Sequence, residues 1–214
     1  MSSVSSENTT NMETIHRFIK EKAPKYTRGI VLDVGGGEGR WKTILEKYSF
    51  KYFISDLFSK SADFHDDARK LSNSDSSFDT VVCFEALEHI DDTDAVVSEL
   101  YRVLKKGGHA IATIPFLFPL HGNPSDYHRL TPAGLEYHFK KAGFEIIESG
   151  LVGNLFSFLG LYCRTRLKEY AANKKHLRKW IFIILNQMMI YSWQLFPKDD
   201  SHFFTHSFII AKKN

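Results

Sequence analysis

Residues 31–40, VLDVGGGEGR, narrow the folds open to this chain more than any other stretch. A short apolar run delivers Asp33. Gly35, Gly36, Gly37 and Gly39 then follow before a helical pattern resumes at Trp41. Glycine tolerates positive φ and carries no Cβ, so such a backbone turns sharply and passes close to a ligand. In open α/β sheets ligands sit at the carboxyl edge of the strands, where this turn falls. The spacing is Asp-x-Gly-x-Gly-x-Gly, and Arg40 stands where a dinucleotide fingerprint has its third glycine. Asp56 ends the next apolar run about twenty residues on, the position from which a carboxylate accepts both hydroxyls of a ribose.

The periodicity around this turn alternates between two and 3.6 residues. Strands are expected at 29–34, 51–56, 78–84, 109–115 and 144–149, with a last one at 203–211. Helices are expected at 14–22, 41–48, 91–104 and 131–142. The glycines of Lys105-Lys106-Gly107-Gly108 are expected to stop the third helix, and Thr131-Pro132 to cap the fourth. This alternation predicts an α/β fold: a doubly wound, mostly parallel, Rossmann-like sheet with helices on both faces. A helical insertion at about 152–200 precedes the last strand. Residues 1–12, rich in Ser, Thr and Asn, are expected to be a disordered leader, and 13–214 a single domain.

Composition excludes several classes. With 43% hydrophobic residues the chain can bury a core, and 28 basic against 25 acidic residues is too even a balance to argue for nucleic acid, so no nucleic-acid partner is expected. Cys83 and Cys163 form no CxxC pair, which points to a reducing, cytoplasmic setting. The most apolar stretch, 180–196, is broken by Asn186, Gln187, Ser192 and Gln194, and is no spanning helix.

In their order and spacing, the motifs of 31–115 resemble the class I S-adenosylmethionine-dependent methyltransferases of type 11-like kind. His121, Asp126, Tyr127, His128 and Arg129 before Thr131-Pro132 resemble a loop of methyltransferases encoded in polysaccharide gene clusters. The resemblance implies S-adenosylmethionine as cofactor. Asp33 would help to hold its methionine amino group, Gly35 and Gly37 would hug it, and Asp56 would bind the ribose, with Leu57 beside it. Asp67-Ala68 would lie near the adenine amino group, and Glu85 would complete the cofactor contacts.

Two clusters are candidates for the acceptor side. Glu85, Glu88 and His89 (ExxEH) resemble a Mg²⁺ site of ubiquinone-pathway and small-RNA methyltransferases, with His121 or His128 as the extra ligand; the plainer reading is a turn beside the cofactor. In the loop 115–135, His128 or His121 is a candidate base oriented by Asp126, and Arg129 could hold a sugar carboxylate or phosphate. Alternatively Asp126 and Arg129 pair to staple the loop down. Basic residues in 164–179 precede an apolar, Trp-bearing stretch, so 164–196 either touches an anionic membrane surface or packs on the core or a second subunit of a homodimer. The expected activity is O-methylation of a sugar or glycan intermediate. The alternatives are a small quinone- or phenol-like acceptor, or cofactor binding without catalysis.

Overall fold

A computed structural model describes residues 9–122, 125–155, 157–159, 180, 184 and 202–214. Six strands make one sheet: β1 (Ile30–Val34), β2 (Lys51–Ser55), β3 (Phe78–Phe84), β4 (Leu104–Pro115), β5 (Glu145–Val152) and β6 (His206–Lys212). Their order is β2-β1-β3-β4-β6-β5. β1 pairs in parallel with β2 and β3, and β3 with β4, while β6 runs antiparallel to both its neighbours. The expected mostly parallel, doubly wound sheet is thus present.

Alternation along the central strands sends successive side chains to opposite faces. Leu32, Val34, Val81 and Cys83 join one core, filled by Val96, Leu100 and Val103 of α3 (Thr93–Val103) and Leu135 and Phe139 of α4 (Pro132–Lys141). Val31, Val82 and Phe84 join the other, under Ile15, Phe18 and Ile19 of α1 (Thr9–Glu21) and Leu45 of α2 (Lys42–Leu45). Thr131 caps α4 as expected, its hydroxyl accepting the Gly134 N–H at 3.1 Å, and Pro132 takes the first helical position.

Four elements differ from expectation. α1 begins at Thr9, so residues 9–12 are helical rather than part of a leader. The helix expected at 41–48 is α2 followed by a 3₁₀ turn at Glu46–Tyr48. The glycine pair 107–108 does not stop α3: the chain passes from Val103 straight into β4. There Gly107 adopts φ +80°, the register against β3 slips, and a Cβ on Gly108 would lie 2.8 Å from the Asp79 carbonyl oxygen. β6 starts at His206, three residues beyond the expected position.

Leu155 and residues 157–159 are helical, whereas most of the expected insertion, Cys163 and the 164–196 segment (except Trp180 and Ile184) lie outside the described residues, as do residues 1–8. Among the described residues no helix is long and apolar enough to cross a membrane.

One acid sits inside this apolar frame. Asp33 is on the α1 face of β1 and 1% exposed; Tyr52 donates its hydroxyl to Oδ2 at 2.7 Å, and Oδ1 has no partner. Burial pushes its carboxyl up to about 7, against the pull of the Tyr52 hydrogen bond and with help from the nearby Asp56 charge. A carboxyl held higher in the folded chain than in the unfolded one stabilises the fold at low pH, and that contribution fades as pH rises through the folded value. Between about pH 4 and pH 7, wild type should therefore lose about 3 kcal/mol of unfolding free energy relative to Asp33→Asn. Urea denaturation of the two proteins across that range checks this, and parallel pH profiles would refute it.

Candidate active site

At the carboxyl ends of β1, β2 and β3 lies a cavity of about 510 Å³. Gly35, Asp56, Leu57, Asp67, Ala68 and Glu85, six of the eight expected cofactor residues, line it. Gly35 has φ +71°, and a Cβ there would stand 2.4 Å from that of Ala86, so the turn can close against this wall only as glycine. Asp56 shapes the opposite side. Its Oδ2 accepts the Gly37 N–H at 2.9 Å, and its Oδ1 accepts those of Phe58 (2.9 Å) and Ser59 (2.8 Å).

Asp33 and Gly37 are not among the residues that line the cavity. Side-chain alternation aims Asp33 at the α1 face, beneath Gly36, where a Cβ would meet its carboxyl carbon at 2.7 Å. It therefore props the glycine turn from below. Asp67 is present but engaged: Arg69 forks onto it through Nε (3.0 Å) and Nη2 (2.7 Å) and reaches Asp91 through Nη1 (2.6 Å). The Arg69 hydrogen bonds hold the Asp67 carboxyl below its usual range. Arg69, Asp91 and Tyr127 line the cavity without having been anticipated. Tyr127 arrives through a backbone bond to the Glu88 carbonyl (2.7 Å), a long-range contact with no local sequence mark.

The ExxEH segment divides. Glu85, Glu88 and His89 would share one face of an α-helix, but only Leu87–His89 is helical, as a single 3₁₀ turn, and Glu85 takes φ +55°. That backbone sends Glu85 away from Glu88, toward β4 and β6. Its Oε1 accepts the Thr113 hydroxyl at 2.8 Å, and its Oε2 lies 3.1 Å from His206 Nε2. Burial alone would raise the Glu85 carboxyl, yet His206, Thr113 and Arg40 outweigh it and hold the group below its ordinary value. Glu85 thus leaves the expected metal set.

His121 takes its place. Ligand atoms of Glu88, His89 and His121 lie within 4.8 Å of one another. Glu88 is 1% exposed and neither of its carboxylate oxygens has a hydrogen-bond partner. Burial, and next the charge of Glu85, hold it well above the usual carboxylate range. The Nε2 atoms of His89 and His121 stand 3.7 and 3.9 Å from Glu88 Oε1. His89 Nδ1 lies 2.5 Å from the Ser125 carbonyl oxygen, and His121 Nδ1 lies 3.3 Å from both the Pro119 carbonyl oxygen and Asp126 Oδ2. These oxygens only accept, so each Nδ1 donates, and in the neutral ring each Nε2 turns a lone pair toward Glu88.

The loop 115–135 resolves in the same way. Arg129 grips both oxygens of Asp126, through Nη1 and through Nη2 (2.5 Å), and its guanidinium holds that carboxyl down at about 2. The stapling alternative is what forms, so Arg129 is not free to take an anionic acceptor. Asp126 orients His121, accepting its backbone N–H at 3.1 Å, and not His128. His128 is half-buried with Nε2 3.2 Å from the Asp91 carbonyl oxygen, and it is not among the side chains grouped around Glu88.

Residues 7–149 match the family described as Methyltransferase domain. Similar curated proteins include a demethylmenaquinone methyltransferase of Streptomyces avermitilis, 47% identical over 45 residues, and a ubiquinone biosynthesis O-methyltransferase of Pseudomonas putida, 38% identical over 63. These matches cover 21% and 29% of this chain, and the chain spans only 20% and 25% of those relatives' length. Among solved structures, the cyclase SpnF superimposes with a TM-score of 0.62 at 18% identity, covering 93% of this chain and 80% of that one. Phosphoethanolamine N-methyltransferase 2 of Haemonchus contortus, in complex with S-adenosyl-L-methionine, gives 0.56 at 24% identity, covering 95% and 52%. These likenesses speak for the fold alone, while the family match spans most of the chain and includes the glycine turn, Asp56, Asp67 and Glu85. The chain belongs to the methyltransferase-domain family and has the class I S-adenosylmethionine-dependent methyltransferase fold.

Proposed function

We propose that the chain methylates an oxygen of a small, flat, hydroxylated acceptor of phenol or quinol type, with Glu88, His89 and His121 holding that oxygen through a divalent cation. The observation that carries this reading is the buried Glu88 carboxyl group, whose two oxygens lack a hydrogen-bond partner while the Nε2 atoms of two imidazoles stand 3.7 and 3.9 Å from Oε1. A buried carboxylate is costly unless it is paired or coordinates a metal.

The cavity fits the cofactor. Gly35 leaves room where any side chain would collide, and Asp56 fixes the loop that the ribose would meet. When bound, S-adenosylmethionine supplies a methyl group already activated on a sulfonium, so the chain's own task is alignment and exclusion of water. Gly35 and Ala86 wall one side, and Asp56 with Leu57 and Phe58 the other. His89 belongs both to the lining of this cavity and to the Glu88 cluster.

The donor set also fits a metal. Each imidazole is oriented by a hydrogen bond from its other nitrogen, the second shell that metal-binding histidines use. A bound divalent cation lowers the pKa of an acceptor hydroxyl and orients it. Two imidazoles with one carboxylate suit manganese, cobalt or zinc better than the Mg²⁺ first expected, which favours oxygen ligands.

The flat acceptor is supported by the rings around the carboxylate: His89 and His121 cross at 4.9 Å, and Phe118 packs on His121 at 4.8 Å. The ubiquinone-pathway relative, named as an O-methyltransferase, supports it as well. The glycan reading has lost the cation offered for an acidic sugar, since Arg129 is closed on Asp126.

Isothermal titration tests the cofactor site. Asp56→Ala should weaken S-adenosylmethionine binding roughly ten- to a hundredfold, as the loss of charged hydrogen bonds implies, and Gly35→Ala should abolish it. Unchanged affinity in both would remove the cofactor from this cavity. For the metal, Co²⁺ titrated into the protein should develop visible absorption bands that Glu88→Gln and His121→Ala lose; absence of binding by Co²⁺, Mn²⁺ and Mg²⁺ alike would end the metal reading. Given metal and cofactor, methyl transfer to catechols should exceed transfer to nucleotide sugars, and the reverse order would restore the glycan acceptor.

A further inference from the structure

We propose that His206 is a positioning residue that fixes the Glu85 carboxylate as a negative charge for the cationic sulfonium of the cofactor. The inference rests on the cavity being the cofactor's.

Glu85 is held in a backbone conformation that side-chain-bearing residues rarely adopt, at φ +55°. Such strain persists only where surrounding contacts over-determine it, and it concentrates at functional sites. Here the contacts come from three strands. Glu85 follows directly on β3, and its backbone N–H donates to the Thr113 carbonyl oxygen of β4 at 3.2 Å. The Thr113 hydroxyl donates to Oε1 at 2.8 Å, and His206, the first residue of β6, stands 3.1 Å from Oε2.

His206 is itself fixed from behind. The Thr205 hydroxyl donates to the Val152 carbonyl oxygen at 3.0 Å, which uses its only hydrogen, so its oxygen accepts from His206 Nδ1 at 2.9 Å. Gly153 lets this backing approach, since a Cβ there would fall 2.3 Å from Thr205 Oγ1. The Phe118 ring, 5.9 Å away, covers the imidazole, and the residue is 1% exposed. Nδ1 faces a hydroxyl and Nε2 a carboxylate, so the ring donates to both only as an imidazolium, and in one orientation. The other charged group acting on Glu85 is Arg40, beside the glycine turn. Together they leave a carboxylate at the cavity wall with both oxygens pinned.

A pinned carboxylate distinguishes the two forms of the cofactor. S-adenosylmethionine carries a positive sulfur, and its product S-adenosylhomocysteine a neutral one, so a charge at the wall favours the first and releases the second. A residue that merely supported the fold would affect both alike.

Affinities for both ligands, measured by isothermal titration on wild type, His206→Leu and His206→Gln, decide the matter, with melting temperature as the check on folding. His206→Leu is expected to lose roughly tenfold in S-adenosylmethionine affinity, the scale on which misplaced charged groups act, with S-adenosylhomocysteine affinity within about twofold of wild type. His206→Gln, which keeps an N–H near the Nε2 position, should restore most of the loss. Should His206→Leu fail to fold, Thr113→Val, which frees only Oε1, is expected to narrow the same preference. Equal losses for the two ligands, or an unchanged ratio in the folded variants, would overturn the role of His206 while leaving the cavity assignment standing. Wild type binding neither ligand would overturn both.

Discussion

Burial of β1 and β3 on both faces is the constraint on which the rest depends. Each strand must be apolar at every position that the two helical layers cover, and each must end where that cover ends. The chain exits both strands abruptly, at Gly35 after Val34 and at Glu85 after Phe84, and both exits open on the same edge of the sheet. The cavity is the gap between these exits. Its position follows from where hydrophobic cover stops, and its chemistry from the few residues tolerated at such turns.

Two of those residues break the rules of the frame. Asp33 is an acid in an apolar layer, and Glu85 is a non-glycine residue in left-handed backbone. Specific partners hold both, Tyr52 at one oxygen of Asp33, and Thr113 and His206 at the two oxygens of Glu85. Glu88 is the contrasting case, a buried carboxylate left without a donor. Where the fold satisfies an acid the result is architecture, and where it leaves one unsatisfied the result is capacity for a ligand.

The glycine turn, the strand pattern and six of eight cofactor positions were legible because each depends on local chemistry: a required positive φ, an alternating period, an acid at a strand end. The acceptor side was legible only in part. ExxEH suggested three side chains on one helical face, and only tertiary context showed that Glu85 turns to β6 while His121 arrives from the loop after β4. His206 carries no motif at all, since its meaning comes from an antiparallel strand laid beside β4. The misread glycines of β4 make the same point. Gly107-Gly108 satisfies a helix stop and a strand irregularity equally well, and contact with Asp79 across the sheet decides between them.

The antiparallel β6 also sets an order of events in folding. It lies between β4 and β5, and among the described residues β5 pairs with no other strand. Thr205 and Val152, the residues that close this part of the sheet, are 53 positions apart, so bringing them together costs the entropy of a long loop. The β4–β6 partners lie farther apart still, 91 positions at Pro115–His206 and 103 at His109–Lys212. Pairings of such separation form slowly compared with β1–β2, 21 apart at Ile30–Lys51, and β1–β3, 49 apart at Val31–Thr80. The half of the sheet that carries the glycine turn can thus assemble before the strand that delivers His206 docks. Competence for catalysis then arrives late, as the final ladder closes, and partly folded chains hold a cofactor cradle without its fixed charge.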